Sequence, residues 1–385
     1  MIKPEQIIYL DNNATTALDP AVVEEMLPYL TTWYGNPSAG YGFGAQMRAA
    51  IERAREQVAA LLGCSASDIM FTSGGTESIH SALASALQLD PRRQHVVTTA
   101  VEHSATRRHC QHLAERGLPV TEIGVDASGR LCLDELARAL RPDTALLTAL
   151  WANNETGVLF PVAEMAQLAR EARVPFHCDS VQAIGKIPVH LADSGIHFAS
   201  VSAHKLHGPK GVGALYVHPH SPFQPSHLGG SQENNRRAGT ENVASVVGFG
   251  KAAELALAAL PSQESRVHVL RDRLEAALLH RIPGTNVNGA PADRLPNTAS
   301  LSFPGIDSSA LLLLLDRAGL CCSAGSACRT GSLEPSHVLR AMGLSEERMR
   351  GSVRFSLSRF TTEGEIDRAI DIIPRAIAKL RAMTL

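Results

Sequence analysis

The sequence predicts an α/β protein in which a largely parallel sheet, covered on both faces, is followed by a smaller α+β domain. Three observations predict it. Between residues 67 and 217, short apolar β-branched runs alternate with amphipathic stretches, the pattern of repeated strand–helix–strand units. Polar motifs follow the ends of those runs, where open parallel sheets bind their ligands. Past about residue 260 the texture changes to a long helical stretch, Pro- and Gly-rich connections and isolated strands.

The expected strands of the first part are 69–72, 95–99, 145–152, 174–178, 198–202 and 213–217. Helices are expected between them at 77–87, 134–140 and 162–173. In the second part a helix is expected over 263–281, a strand over 298–303, a helix over 309–318 and a strand over 353–357. The run Val353-Arg354-Phe355-Ser356-Leu357-Ser358 alternates strictly, which puts Arg354 on a polar face. Thr362 with Glu365 forms a capping-box pattern that opens a last helix, with Ile366, Ile370, Ile373 and Ile377 on one face. Pro374 is expected to kink or interrupt it. These elements divide into a large domain over 15–260 and a small domain made of 1–14 and 261–385.

Composition narrows the function. The chain has 385 residues and a formal net charge of -2, which offers no electrostatic reason for nucleic acid or an anionic membrane as partner. The longest leucine run, 311–315, is far short of a membrane span. The 7 cysteines are odd in number and include no CxxC pair, which favours a reducing compartment. The start MIKPEQIIYLDNN has neither a long apolar core nor a basic leader, so a cytoplasmic location is expected. His218, His220 and His227 lack metal-site spacing and read as a surface loop; no resident metal is expected.

Six polar motifs carry the chemistry. Phe71-Thr72-Ser73-Gly74-Gly75-Thr76-Glu77 runs from a strand into a helix. Its small residues leave backbone N–H groups facing an anion such as phosphate, or simply make a tight turn capped by Thr76. Val201-Ser202-Ala203-His204-Lys205 delivers a lysine at a strand end. A partly desolvated lysine forms a Schiff base readily, whereas a solvated one, or Lys210 in its place, is the alternative. Asp179 follows a third apolar run, with Gln182 after it. A carboxylate there keeps a pyridoxal ring nitrogen protonated, or caps a helix. Asn153-Asn154 either forms a turn or binds a ring oxygen, and His103 either lies against a ring or caps a turn. Finally, Cys321-Cys322-Ser323-Ala324-Gly325-Ser326-Ala327-Cys328 is almost all small residues. That setting suits a thiol that travels more than it suits a packed core cysteine.

Together these stretches resemble the fold-type I pyridoxal-phosphate transferases, specifically the NifS-like cysteine desulfurases. The resemblance spans Tyr9-Leu10-Asp11-Asn12-Asn13-Ala14-Thr15-Thr16, Gly35-Asn36-Pro37-Ser38, the turn at 71–77, 151–157, 202–213, Arg237-Ala238-Gly239-Thr240-Glu241-Asn242, 294–298 and 323–339. It therefore covers nearly the whole chain in order. It implies a large domain with a mostly parallel seven-stranded sheet and a small domain carrying the cysteine loop. Pyridoxal 5'-phosphate is the implied cofactor, covalently linked to Lys205, with Asp179 at the pyridine nitrogen. Asn154 and Gln182 would lie near the phenolic oxygen, with His103 against the ring and assisting proton transfer. Gly75, Thr76, Ser202 and His204 would contact the phosphate. Thr240 would reach the phosphate of a neighbouring subunit, which implies a homodimer. Arg354 would bind the carboxylate of L-cysteine, with Asn154 beside it, and Arg359 is a secondary candidate. Cys328 would take the sulfur as a persulfide, destined for an iron–sulfur scaffold protein in a nitrogenase-related setting, ligating a cluster at most transiently. Cys321 and Cys322 receive no role.

Two positions depart from the family pattern. Tyr41 stands where a histidine is frequent, and Arg329-Thr330 follow Cys328 where small hydroxyl residues are common. The added charge of Arg329 favours a thiolate. The competing functions are another pyridoxal reaction on the same fold, such as an aminotransferase or a selenocysteine lyase, and a non-catalytic cluster scaffold. The adjacent Cys321-Cys322 spacing argues against the scaffold.

Overall fold

The computed structural model describes residues 6–289, 293–324 and 336–384. After a short strand β1 (Ile8–Tyr9), seven strands build the main sheet: β2 (Ile69–Thr72), β3 (His95–Thr99), β4 (Val120–Ile123), β5 (Thr144–Leu150), β6 (Phe176–Asp179), β7 (Phe198–Ser202) and β8 (Gly213–Val217). Their order is β2-β8-β7-β6-β5-β3-β4. The pairs from β4 through β7 are parallel, and β8 is antiparallel to both β7 and β2. Only β8 therefore runs against the rest. All strands but the edge strand β4 are fully buried, as a sheet between two helical layers requires. The expected α/β class with a mostly parallel seven-stranded sheet is what forms.

Four expected strands, 69–72, 95–99, 198–202 and 213–217, coincide with β2, β3, β7 and β8. The other two are displaced: β5 ends at Leu150, before the turn that Asn153 builds, and β6 begins at Phe176 and includes Asp179. Strand β4 has no counterpart among the sequence expectations, because Val120, Thr121 and Glu122 are partly or fully exposed at the sheet edge and show no apolar run.

The helix expected over 263–281 is the second half of a longer one. Val243–Ser262 passes through a π-helical turn, Gln263–Val267, into His268–Arg281. Val243–Ser262 has the length and composition of a membrane span, yet most of it is buried, packed on the helices Pro20–Thr31 and Gly42–Leu62. It is a core helix of this fold.

The remaining strands are β9 (Asn286–Val287), β10 (Thr298–Ser302), β11 (Leu320–Cys321), β12 (Ser323–Ala324) and β13 (Ser352–Ser356). Four form an antiparallel sheet of order β12-β13-β10-β9, and β11 pairs in parallel with β1. Strand β13 alternates as expected, with Val353 and Phe355 in the apolar core and Arg354 among the polar positions, and both faces are buried, Arg354 at 1% exposure. The second face is covered by the N-terminal segment: Asp11 bridges Ser356, and the Asn13 N–H donates to Ser356 Oγ at 2.9 Å.

Pro374 does not interrupt the last helix, which runs continuously over Glu363–Thr384. A helical proline leaves the carbonyl four residues earlier without its donor. Here that carbonyl, on Ile370, accepts from Arg281 Nη1 at 3.2 Å. The capping box is present: Thr362 Oγ1 accepts from the Glu365 N–H at 3.2 Å, and Glu365 Oε2 accepts from the Thr362 N–H at 2.7 Å. Ile366, Ile370, Ile373 and Ile377 pack with Ile8, Leu10, Leu274, Phe303 and Phe355 in a core separate from the two clusters that flank the large sheet.

Candidate active site

A cavity of about 310 Å³ opens at the carboxyl ends of β2, β5, β6 and β7. Around it the structure brings together Gly75, Thr76, His103, Asn154, Asp179, Gln182, Ser202, His204, Lys205 and Arg354, residues spread over most of the chain. Thr240 lies apart, exposed on its own chain. Cys328, with Arg329 and Thr330, falls outside the described residues.

At one end, β2 runs into the helix Gly75–Leu89 with Gly74 as N-cap, not Thr76. Gly74 has φ 148°, a conformation that favours glycine. A Cβ on Gly75 would come within 3.0 Å of Val181 Cγ2, so a side chain there would crowd Val181. The first N–H groups of a helix have no intrahelical acceptor and carry positive potential. With the Thr76 and Ser202 hydroxyls and the His204 ring they make an end suited to an anion. His204 Nδ1 lies 3.1 Å from Thr15 Oγ1, and burial, then Lys205 and Lys210, bring its pKa down to about 4.

Along the cavity, Lys205 Nζ donates to the carbonyl oxygens of Asn13 at 2.6 Å and Ala14 at 2.7 Å. Asp179 is buried at the end of β6, where Oδ1 accepts from the Val181 N–H at 3.1 Å. Burial pushes its carboxyl up to about 6, against the Val181 N–H and the Lys205 charge, which favour ionisation. His103 is the N-cap of the helix Ser104–Glu115, its Nδ1 accepting from the Ala105 N–H at 3.2 Å. Burial and Lys205 bring its pKa to about 4, so near neutral pH the ring is uncharged with its proton on Nε2. The capping role and the place in the cavity thus coexist.

Asn153 and Asn154 divide their tasks. Asn153 Oδ1 accepts from the Glu155 and Thr156 N–H groups and builds the turn, while Asn154 reaches the cavity. Arg354 Nη1 donates to the Asn154 carbonyl oxygen at 2.8 Å, and Nη2 to Asp11 Oδ1 at 2.7 Å. Its Nε is buried with no hydrogen-bond partner among the described residues. Arg359 has a structural task, donating to Asp19 Oδ2 at 2.6 Å.

An amine, a carboxyl group, a bare helix N-terminus and a guanidinium lining one cavity form a coherent set. It fits a flat phosphorylated aldehyde with a protonatable ring nitrogen, beside a small carboxylate.

Sequence reasoning missed the residue that ties this site together. Asn13 accepts from Lys205 and Gln182 through its carbonyl oxygen, from Lys186 and Asn297 through Oδ1, and donates from Nδ2 to Thr298 Oγ1 and the Asn154 carbonyl. It stood inside a motif of the resemblance, but nothing in its local sequence marks its role. Glu102, next to His103, is buried and pushed up to about 8, chiefly by burial. It accepts from Thr99 Oγ1 at 2.6 Å and the Leu150 N–H at 3.0 Å.

Thr240 sits on a loop whose base has three successive residues in the left-handed region, Glu233, Asn234 and Asn235, at φ 47°, 57° and 64°. Glu233 is held by a buried pair with Arg55, at 2.7 and 2.9 Å, and accepts from the Phe71 N–H at 2.8 Å. Arg237 on the same loop pairs with Glu77 at 2.9 Å, tying the loop to the helix behind the anion-binding turn.

The chain matches the family model described as Aminotransferase class-V over residues 8–369. It is 51% identical over 375 residues to "Cysteine desulfurase NifS" of Azotobacter vinelandii, covering 97% of this chain and 93% of the relative. It is 52% identical over 378 residues to "Cysteine desulfurase" of Enterobacter agglomerans, covering 98% and 94%. Among solved structures, one titled "NIFS-LIKE PROTEIN" superposes with a TM-score of 0.91 at 37% identity, covering 97% of this chain and all of that one. A fold shared from end to end and a family match over nearly every residue leave one assignment: the chain belongs to the class-V aminotransferase family.

Proposed function

We propose that this chain is a pyridoxal-phosphate-dependent cysteine desulfurase, a sulfurtransferase that converts L-cysteine to L-alanine and keeps the sulfur as a persulfide on Cys328. The observation that carries the reading is the convergence of Lys205, Asp179 and Arg354 on one cavity. The names of the relatives support the same reaction.

Lys205 would hold the cofactor, with Asp179 at its ring nitrogen and Asn154 and Gln182 near its phenolic oxygen. His103 would lie against the ring, and Gly75, Thr76, Ser202 and His204 at the phosphate. When bound, the cofactor supplies an electron sink that makes the substrate Cα–H acidic. Arg354 binds the substrate carboxylate and fixes which face of the amino acid meets Lys205. Lys205, once released, removes the Cα proton and returns a proton to carbon, with neutral His103 assisting. Cys328 attacks the substrate sulfur as a thiolate. The S–S bond forms as the S–Cβ bond breaks, the carbon keeps that electron pair and takes a proton, and L-cysteine plus thiol becomes L-alanine plus persulfide.

The sulfur goes to an iron–sulfur scaffold protein, in a nitrogenase-related role that the Azotobacter relative's name supports. The protein works as a cytoplasmic homodimer in which Thr240 completes the neighbouring site; its exposure away from its own cavity supports this. The chain divides into a large domain over 15–260 and a small one over 1–14 and 261–385, in keeping with the separate core built on Ile8, Leu10 and the last helix.

Incubating cofactor-loaded protein with L-cysteine and a thiol tests the reading. Equal amounts of alanine and sulfide are expected. Keto acid from amino donors without sulfide would point to an aminotransferase instead.

A further inference from the structure

Lys186 is buried at 6% exposure, four residues beyond Gln182. Its Nζ donates to Gln182 Oε1 at 2.5 Å and to Asn13 Oδ1 at 3.1 Å. Burial, then the charges of Lys205 and Arg354, pull its pKa well below the ordinary lysine value. A neutral amine has two N–H donors, and two acceptors face it here. The uncharged form also adds no positive charge beside Lys205, whose own amine must lose a proton to react.

The consequence falls on Gln182. The two ends of a glutamine amide are nearly alike in shape, and only their partners decide which faces a ligand. With Oε1 on the Lys186 amine and Nε2 donating to the Asn13 carbonyl at 3.0 Å, Gln182 has one N–H left for the cavity it lines. We propose that Lys186 is a positioning residue, which holds the Gln182 amide so that its nitrogen, not its oxygen, serves the cofactor. The proposal rests on the cofactor reading given above.

A replacement that keeps the shape and loses the donors tests it. Pyridoxal 5'-phosphate is titrated into cofactor-free wild-type protein, Lys186→Met, Gln182→Ala and the double variant, following the visible band for affinity and for its pH midpoint. Lys186→Met is expected to weaken binding about tenfold, the order of one hydrogen bond left unmade beside a buried acceptor. It should also move the midpoint of the band, and it should do neither in the Gln182→Ala background, because the lysine acts through the glutamine. Equal losses in both backgrounds, or no loss in either, overturn the proposal while leaving the cofactor reading intact. Failure of wild-type protein to bind at all overturns that reading and the proposal with it. Should Lys186→Met not fold, a crystal structure of the native holoenzyme decides: Lys186 Nζ still bonded to Gln182 upholds the proposal, and an amine that has moved out of reach overturns it.

Discussion

Arg354 is clamped by Asp11: Nη2 donates to Oδ1 at 2.7 Å, from a side chain only 1% exposed. The clamp sets the plane of the guanidinium, while Nε has no hydrogen-bond partner among the described residues. A lysine in this place offers a point charge without that fork. Arg354→Lys should therefore lower kcat/KM for L-cysteine by about 10–100-fold, the worth of a charge-assisted hydrogen bond. Steady-state kinetics should place most of the loss in KM.

Lys205 is held by two backbone carbonyls of the N-terminal segment. Lys205→Ala should still bind pyridoxal phosphate through the anion-binding end, but borohydride should no longer fix it to the chain. Desulfuration should fall on the order of 10²–10⁴-fold, as for the loss of a general acid–base group. Mass spectrometry after reduction, beside an alanine assay, checks both.

Arg55 and Glu233 form a pair with side chains 5% and 3% exposed. Removing Glu233 leaves the buried Arg55 with only the exposed Glu52 as carboxylate partner, at 3.1 Å, and also releases a left-handed turn. Glu233→Ala should lower unfolding free energy by about 3–5 kcal/mol, measured by denaturant titration of the cofactor-free protein. Because the same loop carries Thr240, sedimentation should show a weaker dimer.

Glu102 gives a pH signature. Its folded pKa is about 8 against an ordinary 4.5, chiefly through burial. Between those values the native protein holds a proton that the unfolded chain has released, so this group makes stability fall as pH rises through that window. Glu155, at about 7, and Asp179, at about 6, act in the same sense over narrower windows. Glu102→Gln, which keeps the acceptor for Thr99 and Leu150, should reduce the drop in Tm between about pH 6 and pH 8.5 by a few degrees. An unchanged drop in calorimetry would remove Glu102 from the account.

Much of the fold is legible in the sequence because the large sheet is buried on both faces. Its strands, β2, β7 and β8 among them, stand out as short apolar runs closed by polar turns. Strand β4 lacks that signal at its exposed edge. The strand holding Arg354 shows its alternation plainly, but its polar positions face a neighbouring segment of chain, not water, and alternation alone cannot tell the two apart. That the helix continues past Pro374 is not legible, because the donor that serves the Ile370 carbonyl belongs to Arg281, some ninety residues earlier. In the site, residues at strand ends such as Asp179 and Lys205 follow from the rule that parallel sheets bind at their carboxyl edge. Asn13 does not, since each of its partners is distant in sequence and only the folded chain assembles them.

The sulfur-accepting thiol is the central claim, and one variant tests it most directly. Cys328→Ala, loaded with pyridoxal phosphate and given L-cysteine, should keep the wild-type visible band yet form neither persulfide nor alanine above a small residual rate. Alanine and sulfide released at the native rate would contradict the account and move the nucleophile to another residue.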